Sequence, residues 1–172
     1  MMKRLLCIFS LGLALVLGCL AEQEEEFMEQ TVVIFKPDAM AQGRVGAILQ
    51  RFEEMHFRIA GIKMMQLDEA ILRKHYSHLT DKPFFGDIVE FMSSTPVVVM
   101  VLEGDNVVEE VREMTGVTDS KLAAKGTIRG DFGRDKSQNM IHASDSVEGA
   151  QAEVARFFKP KELFPNKSSL TE

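Results

Sequence analysis

Two short apolar runs, TVVIFK at residues 31–36 and PVVVMVL at 96–102, constrain this chain more than any other feature. Both are rich in β-branched residues and too short for a buried helix, so both read as strands. The second is apolar at nearly every position, as in a strand covered on both faces. Pro37-Asp38 closes the first run, which is expected to be a central strand with Lys36 at its end facing a turn. Val45, Ile48, Leu49, Phe52 and Met55 follow at helical spacing, one face of a helix over 44–57 that packs on the sheet. Residues 58–66 read as a second strand, with Met64 and Met65 filling the core. Asp68-Glu69 opens a helix to about Leu79, with Ile71, Leu72 and His75 on its apolar face. Pro83 suits the first position of another short helix. Phe84 and Phe85 are adjacent and cannot both face the core, which leaves one for a surface or a ligand.

A helix over 106–114, an irregular loop over 115–125, a strand ending in NMIHAS and a helix over 146–158 complete the pattern. Val147, Ala150, Val154, Phe157 and Phe158 line the face of that last helix. The order β-α-β-α-α-β-α-loop-β-α predicts an α+β fold, a ferredoxin-like split βαβ sandwich with an antiparallel four-stranded sheet, in a single domain. Such a fold names no function.

With 172 residues the chain suits one domain and a short appendage. Its net charge of -6 argues against binding nucleic acid by phosphate neutralisation, so any phosphate site must be a local cluster of cations. Residues 1–21 differ from the rest. Lys3 and Arg4 precede an apolar run over 5–17 and then Gly18-Cys19, a signal-like segment too short for a membrane span. Val16-Leu17-Gly18-Cys19 also resembles a lipoprotein cleavage box with Cys19 acylated, whereas translation from Met28 would omit the whole segment. The expected division is residues 1–29 as signal-like segment and acidic spacer, 30–164 as the domain and 165–172 as a polar tail. Cys7 and Cys19 both fall in the first part, so the domain has neither an internal disulfide nor a thiol nucleophile.

The residues that carry chemistry concentrate in GTIRGDFGRDKSQNMIHASDS, 126–146, which holds Arg129, Asn139, His142 and Ser144. His142 ends a strand, and Asp145-Ser146-Val147-Glu148 reads as a D-x-x-E helix start beside it. From Asp145 to Glu153 is about 12 Å of helix, and from His142 to Asp145 about 10 Å of extended chain. A helix folded back along its strand therefore returns Glu153 to the level of His142, where a carboxylate on one imidazole nitrogen fixes the tautomer and frees the other. Taken alone, a packed histidine and a solvated glutamate explain these two residues better. Neither a P-loop nor the protein-kinase motif set is present, so nucleotide phosphates would be held by scattered cations such as Lys36, Arg112 and Arg129. His75 and His78 stand three apart with no third ligand in reach, which makes them an unpromising metal pair.

GTIRGDF followed by N-x-x-H-x-S-D-S resembles the signature of the nucleoside diphosphate kinases. KPDA at Lys36, HY at His75-Tyr76, KPFF at Lys82, PVVVMVLEG at Pro96, N-V-V-x-x-x-R at Asn106 and FFKP near the end match in order and spacing. The resemblance implies transfer of the γ-phosphate of ATP to nucleoside diphosphates, maintaining triphosphate pools through a phosphohistidine and ping-pong kinetics. By that likeness His142 would be the nucleophile, Glu153 would orient it and Ser144 would bond nearby. Tyr76 and Lys36 would border the transferred phosphoryl group, and Lys36 and Asn139 the ribose hydroxyls. Arg112, Thr118 and Arg129 would hold phosphates, and Phe84 would stack on the base. Mg²⁺ would ride on phosphates and water.

The likeness also implies a homo-oligomer, with the short tail favouring a tetramer over a hexamer, and a cytoplasmic enzyme starting near Met28, the alternative being export or lipid anchoring through residues 1–19. The sequence departs from the family in four places. Ala143 replaces a glycine, Thr118-Asp119-Ser120-Lys121 replaces a T-N-P start, Lys125 replaces a proline, and Lys136 stands where an apolar residue often covers the base. Two other classes compete: a non-catalytic nucleotide-binding module, and an RNA-binding domain that the charge and the absence of paired strand aromatics disfavour.

Overall fold

The computed structural model describes residues 28–164. The signal-like segment, both cysteines, the spacer before Met28 and the tail from residue 165 lie outside the described residues. Strands β1 (Gln30–Phe35), β2 (Arg58–Met65), β3 (Val97–Glu103) and β4 (Ile141–Ala143) form one sheet in the order β2-β3-β1-β4, every neighbouring pair antiparallel. This is the split βαβ arrangement, with β1 and β3 central. Helices α1 (Pro37–Ala41) and α2 (Val45–Glu54) join β1 to β2, and α3 (Glu69–His75) and α4 (Phe85–Ser93) join β2 to β3. After β3 come α5 (Val107–Thr115) and α6 (Ile128–Phe132), then β4 and α7 (Val147–Phe157).

Strand side chains alternate between two cores. Val33 and Phe35 of β1 pack with Ile48 and Phe52 of α2, Val107 and Val111 of α5, and Ile128 of α6. Val32 and Ile34 pack on the opposite face with Leu72 of α3, Met92 of α4 and Phe157 at the end of α7. Both faces being covered explains why β3 is buried throughout. In β4, Ile141 and Ala143 join the α2/α5 core, so the pleat turns His142 to the other side, toward α3 and α7.

The structure corrects several local readings. Met64 is 62% exposed rather than core filler, because β2 is an edge strand; Met65 does pack inward. Residues read as turn after β1 form α1, with Lys36 as its N-cap residue and Pro37 at its first position. The helix expected from Pro83 starts at Phe85, and the segment after the 115–125 loop contains α6, which the sequence pattern did not suggest. Ser146, not Asp145, caps α7: its Oγ accepts from Gly149 N at 3.0 Å. Val147 at the start of α7 is exposed rather than on the apolar face.

Candidate active site

His142 lies opposite Ile34 on β4, and α7 runs back along the strand so that Glu153 meets it. His142 Nε2 is 3.0 Å from both Glu153 carboxylate oxygens. Glu153 occupies the buried face of α7, in line with Ala150 and Phe157, so this carboxylate is held in the core rather than solvated. Ser144 Oγ donates to Glu153 Oε2 at 2.7 Å and accepts from Val32 N at 3.0 Å, while Ser144 N donates to Val32 O at 3.1 Å. The carboxylate is therefore anchored to β1 as well as to α7. With Nε2 donating to Glu153, the His142 lone pair resides on Nδ1.

Two rings from α3 and its end complete the wall. His75 stands edge-on to His142 with ring centroids 4.4 Å apart, and Tyr76 lies 6.4 Å from it. Burial pushes the Tyr76 hydroxyl pKa well up, and the Glu153 charge adds to this, so the group stays a protonated donor. Burial also pushes His75 far below the ordinary histidine range, assisted by the positive fields of His142, Arg156, Lys36 and His78. His75 is thus neutral, and its 3.5 Å approach to Glu153 is not an ion pair.

Lys36 and Arg129 form the cationic side. Lys36 Nζ donates to Asn139 Oδ1 at 2.6 Å. Burial, then Arg129, lowers the lysine to about 8, against which Asp38 acts in the opposite direction. Arg129 projects from α6, which Thr127 caps through Gly130 N at 3.1 Å and which Arg51 of α2 ties down through Asp131 at 2.7 Å. Its guanidinium donates to Gly116 O and Ile141 O, both at 2.9 Å. Gly116 has φ of 80°, and a Cβ there would come 2.5 Å from Thr127 Oγ1, so the acceptor for Arg129 depends on a glycine. Burial, then neighbouring Arg112, lowers Arg129 to about 10. Asn139 spends both amide hydrogens on Thr118 O and Lys136 O at 2.9 Å each, joining the loop at 118 to the lysine. Arg112 and Thr118 are exposed, and Phe84 is 47% exposed at the start of α4 while its neighbour Phe85 is buried.

The family profile described as nucleoside diphosphate kinase matches residues 29–163. The chain belongs to the nucleoside diphosphate kinase family. It is 52% identical over 139 residues to the nucleoside diphosphate kinase of Pyrococcus horikoshii, covering 79% of this chain and 88% of that one. It also superposes on that of Aquifex aeolicus with a TM-score of 0.76 at 45% identity, covering 79% of this chain and 99% of the other. A Halobacterium salinarum nucleoside diphosphate kinase in complex with CDP gives 0.79 at 42% identity, covering 83% and 95%. Members of the nucleoside diphosphate kinase family are phosphotransferases that move phosphate between nucleoside triphosphates and diphosphates, and that is the activity of this chain.

As a nucleoside diphosphate kinase the chain accommodates its departures without disturbing the network. Ala143 sits in β4 and is not among the residues with positive φ, so a Cβ there is unstrained. Lys125 Nζ donates to Gly130 O at 3.0 Å, and Lys136 is exposed. Sequence reasoning missed two residues. His75 was set aside as half of a metal pair with His78, yet it packs on His142; its adjacency to Tyr76 in the HY motif was the available signal. Asp38, inside KPDA, is buried within two residues of Lys36.

Proposed function

We propose that phosphoryl transfer runs through His142, whose Nδ1 attacks the γ-phosphorus of a nucleoside triphosphate such as ATP. The N–P bond forms as the bond to the β-phosphate oxygen breaks and the diphosphate leaves; a second diphosphate then attacks phosphorus and the N–P bond breaks. The observation that carries this reading is the pair of 3.0 Å contacts from Nε2 to Glu153. As Nδ1 gives up its lone pair the ring gains positive charge, and the fixed carboxylate stabilises it. Ser144 holds that carboxylate in place. Tyr76, kept protonated, donates to the transferring group, and Lys36, Arg112, Arg129 and Thr118 offset and orient the phosphates. Lys36 and Asn139 border the ribose, and Phe84 offers an exposed ring to any base.

Mg²⁺ fits this arrangement as a companion of the nucleotide. Glu153 is committed to His142 and Ser144, and the side chains expected around the phosphates are cations, so the ion's ligands would be phosphate oxygens and water. Bound there, it would withdraw charge from the transferring group. Among the described residues the one metal-like cluster is His75, His142 and Glu153, where Arg156 Nη1 lies 3.3 Å from His75 and the surrounding field is positive.

A homo-oligomer is supported by the edge strand β2, where Ile62 is 48% exposed beside Met64. We propose a cytoplasmic enzyme with translation from or near Met28, a reading supported by the cytoplasmic location of ATP and its diphosphate acceptors. Among the described residues no helix is long and apolar enough to cross a membrane. Intact mass of the native protein reports the start directly.

The decisive experiment incubates the domain with γ-labelled ATP and Mg²⁺ without acceptor. Acid-labile, base-stable label on His142 that any nucleoside diphosphate discharges is expected. Nucleotide bound without label would leave a non-catalytic binding module instead.

A further inference from the structure

The chain reaches His142 through a strained turn. Ile141 N donates to Asn139 O at 2.8 Å across Met140, whose φ is 72°. That is a γ-turn with positive φ, a rare conformation, and a long-chain buried residue at its centre makes it less favourable still. Such a turn persists only where its surroundings hold it. Two bonds do so here: Lys36 N donates to Met140 O at 2.8 Å, and Met140 N donates to Asp38 Oδ2 at 2.9 Å. Asp38 is buried, and its other oxygen, Oδ1, has no hydrogen-bond partner among the described residues. A buried carboxylate left half satisfied is a costly way to secure one backbone N–H. Stability alone does not account for it.

Its placement does. The residue after the turn, Ile141, presents the carbonyl that accepts from Arg129 Nη2, and the next residue is His142. Relaxing Met140 would move the Arg129 anchor and the histidine together. Asp38 reaches across from α1, directly after Lys36, so one short segment supplies both the lysine and the clamp.

We propose that Asp38 is a positioning residue for phosphoryl transfer: its carboxylate locks the γ-turn at Met140 and thereby aims His142 and Arg129. This rests on His142 being the phosphoryl acceptor, which labelling of the unaltered enzyme tests independently.

Two substitutions separate the bond from the charge. Asp38→Asn keeps an acceptor at the same reach and removes the charge; Asp38→Glu keeps the charge and displaces the acceptor by a methylene. Both are compared with the unaltered enzyme in rapid-quench phosphorylation of His142 by ATP, with diphosphate affinity measured alongside. Asp38→Asn is expected to phosphorylate within about threefold of the unaltered rate. Asp38→Glu is expected to slow by about 10²-fold, the scale of a misplaced reacting group, with a much smaller change in diphosphate affinity. The reverse order, or two equally slow variants, overturns the clamp, as does Asp38→Glu at the unaltered rate. Thermal unfolding of each variant excludes loss of fold as the cause: if Asp38→Glu does not fold, Asp38→Ala takes its place with the same expectation. If the unaltered enzyme itself fails to label His142, it is the transfer route that falls.

Discussion

The two sides of the site are built in opposite ways. Around His142 most polar groups are bonded within the protein: Glu153 to the imidazole and Ser144, Ser144 to β1, Lys36 to Asn139, Arg129 to two carbonyls. On the nucleotide side, Phe84, Arg112 and the Thr118 side chain are exposed. In the proposed mechanism the groups that meet the reacting phosphorus are fixed beforehand, because preorganised charge costs no reorganisation during reaction. The groups proposed to hold the rest of the nucleotide reach into solvent, which suits features common to all nucleotides.

Substitutions on the two sides should therefore fail differently. Glu153→Gln leaves a neutral amide beside the imidazole, and the charge developing on the ring loses its counterpart. A fall in kcat of about 10²- to 10³-fold with KM nearly unchanged is expected, read from steady-state exchange and single-turnover labelling. An equal rise in KM would show that the carboxylate serves nucleotide binding, and the contrast between the sides would collapse. Phe84→Ala removes a stacking platform worth about 1–3 kcal/mol, so KM should rise about tenfold with kcat spared, and equally for purine and pyrimidine nucleotides. Loss confined to one base would mean that Phe84 discriminates.

The same division decides what the sequence could disclose. The strands were legible because covered sheets need continuous apolar runs; rise per residue allowed Glu153 to return to His142, and the family resemblance chose that reading over a solvated glutamate. Met64 was misread because an apolar strand does not announce which strand is the edge. Helix α6 escaped notice because IRGDF has no apolar periodicity; its Thr127 cap and the Arg51–Asp131 pair, eighty residues apart in sequence, hold it. Likewise the buried partners of the site, His75 and Asp38, act through tertiary contacts and positive-φ backbone that no local pattern encodes.

His75 offers a smaller effect on the same fixed side, seen in stability. Its folded pKa is far below the unfolded value of about 6.5, so below that pH the unfolded chain binds a proton that the folded one refuses. Stability is complete above about pH 6.5 and falls as pH drops, by about 1.4 kcal/mol per unit for one proton. The shifted carboxylates Asp131, Asp135 and Glu162 are lowered groups whose contribution is lost only at still lower pH. Urea unfolding between pH 6.5 and 5 should thus lose about one proton's slope in His75→Phe. An unchanged slope would mean that the folded protein admits the proton.

The smallest effect lies in the loop that connects the two sides. Ser120 is buried, its Oγ has no partner among the described residues, and it sits so close to Gly133 that a Cβ there would approach it to 2.0 Å. Its N–H donates weakly to Asp135 O at 3.4 Å, a bond that alanine keeps and proline would remove. An unsatisfied buried hydroxyl costs about 1–3 kcal/mol, part of which alanine recovers, so Ser120→Ala should raise stability by about 1 kcal/mol in urea unfolding with m unchanged. Since Ser120 touches neither the His142 network nor an exposed nucleotide group, kcat should stay within about twofold. A loss of stability would mean that the hydroxyl has a partner, and a change in kcat would mean that this loop transmits strain to the fixed side.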